Sequence, residues 1–159
     1  MTNTRHDAEP FILFELAGTT YGVRSRFVQQ VEMIEHVTPV PNAHAALDGV
    51  VLARGQVIPA LNLRARFGFE RIAFDLRSRL VVVGAAGRTL GLIVDSAREF
   101  LRIPAAAVAP PPEAITGLSG EYLEGVATIE GRIILILDLD EVIDLGGQQL
   151  AAGVPAASA

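Results

Sequence analysis

The chain has 159 residues, half of them hydrophobic and 19% charged, with 13 basic against 18 acidic side chains and a net charge of −5. That balance describes a packed globular protein rather than a disordered one, and it lacks the basic excess usual in nucleic-acid binders. The absence of cysteine excludes disulfides, thiol nucleophiles and thiolate metal sites, and fits a reducing cytoplasm.

The opening residues, MTNTRHDAEP, hold no apolar run, so no secretory signal is expected and residues 1–10 read as a flexible tail. Phe11–Leu16 is short, apolar and aromatic and stops at Ala17-Gly18, which predicts a strand entering a turn; Tyr21-Gly22-Val23 resumes on the other side. Val31, Met33 and Ile34 then stand among polar Gln29, Gln30, Glu32 and Glu35. Asn42 is placed to cap a short turn through Ala43–Leu47. Val50–Leu52 and Val57-Ile58 flank Arg54-Gly55-Gln56 as a second hairpin. Five arginines follow between Arg64 and Arg79, read as a solvated loop rather than a nucleic-acid surface. Leu80–Val83, ending at Gly84, and Leu90–Val94 make a third hairpin. Pro104 suits the first turn of a short helix at Ala105–Val108. Val126–Ile129 and Ile133–Leu137 form a fourth hairpin through Glu130-Gly131-Arg132, and Leu139–Ile143 adds one helical turn. Ile133–Leu137 is far too short to span a bilayer, so no membrane insertion is expected. Residues 145–159, rich in small side chains, read as a second tail.

The chain also repeats itself. Ala17-Gly18-Thr19-Thr20-Tyr21-Gly22-Val23 matches Ala86-Gly87-Arg88-Thr89-Leu90-Gly91-Leu92 at an offset of 69 residues (86 − 17). The stretch 49–63 matches 125–139 at an offset of 76 (125 − 49), with glycine, valine, isoleucine and leucine recurring in register. Two ordered matches predict a duplicated subdomain. Short strands bounded by glycine predict a mainly β protein built as small barrels, which remove exposed edges by closing.

Chemistry is sparse. His6, His36 and His44 have no metal-ligand spacing. Asp138, Asp140 and Glu141 suit a helix N-terminus better than an ion. No phosphate loop or nucleophile elbow is present, so neither catalysis nor a cofactor is expected.

Several motifs, taken in order, resemble one family. They are Tyr21-Gly22-Val23, Val40-Pro41-Asn42, Gly49-Val50 with Ala53-Arg54-Gly55, and Ile58-Pro59 leading to Asn62-Leu63-Arg64. In the second half they are Gly91–Asp95, Pro110–Pro112, and Tyr122-Leu123 with Gly125-Val126 leading to Leu137-Asp138-Leu139. The set is similar to CheW-like domains and covers roughly residues 11–144. The resemblance implies two five-stranded SH3-like β-barrels with a few short helices. Subdomain 1 is expected at about 20–79 and subdomain 2 at about 80–144, with a possible contribution from strand 11–17. It also implies a non-enzymatic, cofactor-free cytoplasmic adaptor at membrane-associated receptor arrays, joining a chemoreceptor's cytoplasmic tip to the regulatory domain of a CheA-type histidine kinase. The competing reading is a peptide- or nucleic-acid-binding barrel outside chemosensory signalling.

The candidate partner-binding residues are Arg54, Val31, Glu32, Met33, Ile34, Val94 and Asp95. Arg54 stands in a glycine turn and serves either a structural ion pair or a partner contact. The family often carries glutamate where this chain has Gln30, and Glu32 is the substitute partner for Arg54. The family's usual leucine before that arginine is Ala53, and its usual aspartate before Leu-Arg is Asn62.

Overall fold

The computed structural model describes residues 8–112 and 120–145. The strands are β1 (Ala8–Leu16), β2 (Thr19–Arg24), β3 (Val28–Met33), β4 (Leu47–Ala53), β5 (Gln56–Asn62), β6 (Arg79–Ala85), β7 (Arg88–Val94), β8 (Ser96–Pro104), β9 (Val108–Ala109), β10 (Leu123–Ile129) and β11 (Arg132–Leu137). Two short helices, α1 (Leu63–Arg66) and α2 (Leu139–Ile143), follow β5 and β11. The strands form a six-stranded sheet, β8-β1-β2-β11-β10-β9, and a five-stranded sheet, β3-β6-β7-β5-β4. The mainly β architecture with few short helices is the one the sequence predicts. Ala8–Pro10, expected in the N-terminal tail, already belong to β1; residues 1–7, and 146–159 of the expected C-terminal tail, lie outside the described residues.

All four expected hairpins are present, and they share one turn. Their central pairs are Ala17-Gly18, Arg54-Gly55, Ala86-Gly87 and Glu130-Gly131, every residue at positive φ. Two left-handed residues make the turn whose twist matches that of the strands it joins. Asn42 also takes positive φ, 59°, but it sits in a turn and 43–47 form no helix. Pro104 does precede a 3-10 turn, Ala105–Ala107, as expected.

The repeat is a repeat of sheet topology. β8, β1, β2, β11 and β10 in one sheet occupy the places of β3, β6, β7, β5 and β4 in the other. In each sheet one strand pair is parallel: Gly22 faces Ile136 and Gly91 faces Ala60. The place of β9 is taken by Thr38, which bridges to Val50. Gly49 and Gly125 both lie at bulges where a third segment crosses close by. Gly49 has a φ of 145°, and a Cβ on it would lie 2.0 Å from the Thr38 carbonyl oxygen.

The sheets do not follow the expected cut near residues 79 and 80. β6 and β7 join β3–β5, while β1 and β2 join β8–β11. Each half of the chain therefore gives its first hairpin to the sheet completed by the other half. The expected contribution of strand 11–17 to the second unit is part of this exchange, which extends to β2. Local pattern could not reveal it, because strand pairing is set by tertiary contacts.

Burial explains why the exchange holds. Leu80 and Val82 face a core inside the five-stranded sheet, while Val81 and Val83 face a larger core shared by both sheets. Phe11 and Leu13 face a core inside the six-stranded sheet, while Phe14 and Leu16 enter the shared one. Strands buried on both faces read as continuous apolar runs rather than alternating ones. A stack of rings crosses the shared core: Phe14 to Tyr21, Tyr21 to Phe67 and Phe67 to Tyr122, with centroids 5.7, 5.7 and 5.1 Å apart. Burial pushes the Tyr21 hydroxyl pKa up.

Polar clasps reinforce the seam. Arg64 Nε and Nη2 donate to Asp95 Oδ1 and Oδ2 at 2.8 and 2.7 Å, and the Ala17 amide donates to Oδ2 at 2.9 Å. This ties the β1–β2 turn to β7 and α1. Arg66 Nε donates to the Val142 carbonyl at 2.8 Å and so ties α1 to α2. Each helix has a side-chain cap: Asn62 accepts from the Ala65 amide and Asp138 from the Glu141 amide. Asn62 Nδ2 also donates to Asp48 at 2.9 Å, which accounts for asparagine here, since an aspartate would face Asp48 with like charge. Of the five arginines from 64 to 79, Arg64 and Arg66 fasten the seam and Arg79 Nη1 donates to the Leu76 carbonyl at 2.7 Å, while Arg71, paired with Asp48, and Arg77 stand on an exposed loop, as expected.

Two outcomes test this framework. Gly49→Ala forces a methyl group against the Thr38 carbonyl and should cost about 2–4 kcal/mol, lowering the melting temperature by about 5–15 °C; an unchanged melt would refute the close approach. For Asp95, burial pushes the carboxyl pKa up, but the hydrogen bonds and charge of Arg64 and the Ala17 amide outweigh it, leaving the pKa below its usual value. A depressed folded pKa gives stability that is full above the unfolded value, about 3.9, and lost as pH falls through the folded one. Asp95→Asn should therefore lower the neutral melting temperature and flatten its fall below about pH 4; parallel wild-type and variant curves would contradict the clasp.

Candidate functional site

β3 and β4 are the two edges of the five-stranded sheet, yet both line one groove of ≈ 670 Å³. The sheet therefore curls until its edges face each other, and the segment from Ile34 to Thr38 spans the gap at one end. Val51, Ala53 and Leu80 are buried beneath the groove. Met33 and Leu52 stand on its two walls, 54% and 67% exposed, with Ile34 beside Met33. Val31, 38% exposed, lies two residues before Met33 and on the same face of β3. Exposed apolar side chains gathered along a groove are the usual mark of a docking surface.

The polar groups of the groove are unevenly satisfied. A bulge between Val28 and Gln30 lies upstream of Gln30 and Glu32, so these two share a face of β3. Gln30 Nε2 donates to Glu32 Oε2 at 2.7 Å. Arg54 sits at the groove's other wall, in the β4–β5 turn with φ 50°, and it makes no ion pair or hydrogen bond among the described residues. The expected substitution of Glu32 as partner of Arg54 is not made; Glu32 is engaged by Gln30 instead.

Five of the seven candidate residues thus fall in or beside one groove: Val31, Glu32, Met33, Ile34 and Arg54. Val94 and Asp95 do not. Val94 is 2% exposed in the shared core, because β7 is covered on both faces, and a residue so buried offers a partner no surface. Asp95 is held in the Arg64 clasp.

Two apolar surfaces escaped the sequence reading. Phe69, Ile72, Phe74 and Leu76 are exposed on the loop between α1 and β6, interleaved with the arginines. Phe100 and Ile133, each 61% exposed, lie on β8 and β11 of the six-stranded sheet. Among the described residues no three His, Cys, Asp or Glu side chains gather where they could hold a metal ion. His44 Nδ1 accepts from the Ala46 amide at 3.0 Å, and Asp138 caps α2.

Residues 10–146 match the family model of the CheW-like domain. The chain is 27% identical to "Chemotaxis protein CheW" of Klebsiella aerogenes, over 85% of this chain and 81% of that one. It is 28% identical to "Protein FrzA" of Myxococcus xanthus, over 91% of each. A solved structure, described as the scaffolding protein TtCheW from Thermoanaerobacter tengcongensis, superposes with a TM-score of 0.84 at 28% identity, covering 91% of this chain and 99% of that one. Hairpins, exchanged halves and a match running through both sheets lead to one assignment: the chain belongs to the CheW-like domain family.

Proposed function

We propose that this chain is a non-catalytic adaptor of chemosensory signalling, coupling the cytoplasmic tip of a chemoreceptor to the regulatory domain of a CheA-type histidine kinase. The observation that carries this reading is a family match running from residue 10 to residue 146, through both sheets. A solved relative described as a scaffolding protein points the same way.

An adaptor must hold two partners, so it needs two surfaces. The groove between β3 and β4 is assigned to the receptor, with Met33, Leu52 and Arg54 as its contact residues and Val31, Glu32 and Ile34 beside them. Phe100 and Ile133 on the other sheet leave a second apolar surface for the kinase. The working place of such an adaptor is the cytoplasmic face of a receptor array. No helix among the described residues is long and apolar enough to cross a membrane, so attachment to the array would come through the receptor.

Calorimetry of the purified chain with the regulatory domain of a CheA-type kinase from the same cell should give micromolar affinity, about −8 kcal/mol. Failure to bind the kinase domain and the receptor tip alike, at high concentration, would overturn the adaptor reading. Met33→Glu should weaken receptor-tip binding at least about tenfold, as for a central apolar contact, and leave the melt unchanged because the side chain is exposed. Wild-type affinity in this variant would remove Met33 from the contact.

A further inference from the structure

Among the described residues, Arg54 is a cation without a partner on the wall of an apolar groove. The fold does not require it there. The equivalent turn position holds Ala17 and Ala86 in two other hairpins and Glu130 in a third, all with the same left-handed backbone. Nor does the groove neutralise it: Glu32, on the facing wall, accepts from Gln30, and Asp48, the acid nearest in sequence, is engaged by Asn62 and Arg71. Charge in the groove is therefore separated: Arg54 on the β4–β5 side, Glu32 and Glu35 on the β3 side, and Val51, Ala53 and Leu80 between them.

We propose that the segment entering this groove supplies a carboxylate to Arg54, so that the groove selects an apolar partner face carrying one acidic residue at the end that meets the β4–β5 turn. The inference rests on the reading of the groove as the receptor-docking surface, and it adds the chemistry of the face that docks. An apolar face alone would cover the guanidinium and leave it desolvated and unpaired, which is costly. A carboxylate supplies a charge-assisted, two-pronged hydrogen bond instead. The separation of charge also sets direction. A partner docked in reverse would bring its acid against Glu32 and Glu35, where like charge repels, so one orientation is favoured.

The test uses the full chain and the cytoplasmic tip fragment of a chemoreceptor from the same cell, titrated by calorimetry at about 50 and about 300 mM salt, across which exposed charge pairs become screened. Wild-type affinity should fall several-fold as salt rises. Arg54→Gln should melt like wild type, bind about tenfold more weakly at low salt and lose most of the salt dependence, while Arg54→Lys should keep that dependence. Arg54→Gln with wild-type affinity and wild-type salt response overturns the carboxylate. Leu52→Glu, which places a charge on the apolar wall, separates this failure from failure of the groove itself. If Leu52→Glu abolishes binding while Arg54→Gln does not, the groove stands and the carboxylate falls. If Leu52→Glu binds as wild type, the groove reading fails and the carboxylate with it.

Discussion

Each half of this chain completes the other half's sheet. The hairpins β1–β2 and β6–β7 leave the halves that encode them and insert beside β11 and β5 of the opposite half. That one constraint organises the molecule. A hairpin so placed is covered on both faces, by the core inside its own sheet and by the core between the sheets. Each sheet draws strands from both halves of the chain and the two share one core, so the two units of the fold should unfold together rather than one after the other. The ring stack from Phe14 to Tyr122 and the clasps of Arg64 and Arg66 fall on the same seam. They reinforce a junction that apolar burial has already made.

The exchange also decides where a partner can bind. With β6 and β7 at the centre of the five-stranded sheet, β3 and β4 are left as edges, and unpaired edges are normally a liability. Here the sheet curls until they face each other across a groove, and the bridge from Thr38 to Val50 closes one end. On the other sheet the corresponding place is filled by β9, which pairs with β10. The groove is carried on strands whose positions are fixed by the buried hairpins, which suits a docking surface that must be preorganised.

What could be read from the sequence follows from burial. Phe11–Leu16, Leu80–Val83 and Leu90–Val94 were legible because both their faces are buried and each borders a glycine turn. The two offsets, 69 and 76 residues, carried the duplication because the turn and bulge glycines must recur where the topology recurs. β8 was not legible: Ser96–Pro104 carries Arg98, Glu99 and Arg102 with an exposed Phe100, as an edge strand does, and no local pattern marks it. The exchange itself left no local trace. Val94 and Asp95 fall outside the groove for a related reason. An acid after an apolar run looks like the start of a surface loop, and the partner that pulls Asp95 into the seam, Arg64, is 31 residues away in a run of arginines that looked solvated. Val31, Met33 and Arg54, singled out by residue type and resemblance, lie in or beside one groove, while the pairing of Gln30 with Glu32 depends on side-chain geometry that spacing does not contain.

The central claim is that one molecule holds receptor and kinase at the same time on separate surfaces. Sedimentation of the full chain mixed with a receptor cytoplasmic tip fragment and a kinase regulatory domain tests it most directly. The account predicts a single species containing all three components, heavier than either binary complex. Two binary complexes that exclude one another, with no ternary species at any ratio, would contradict it.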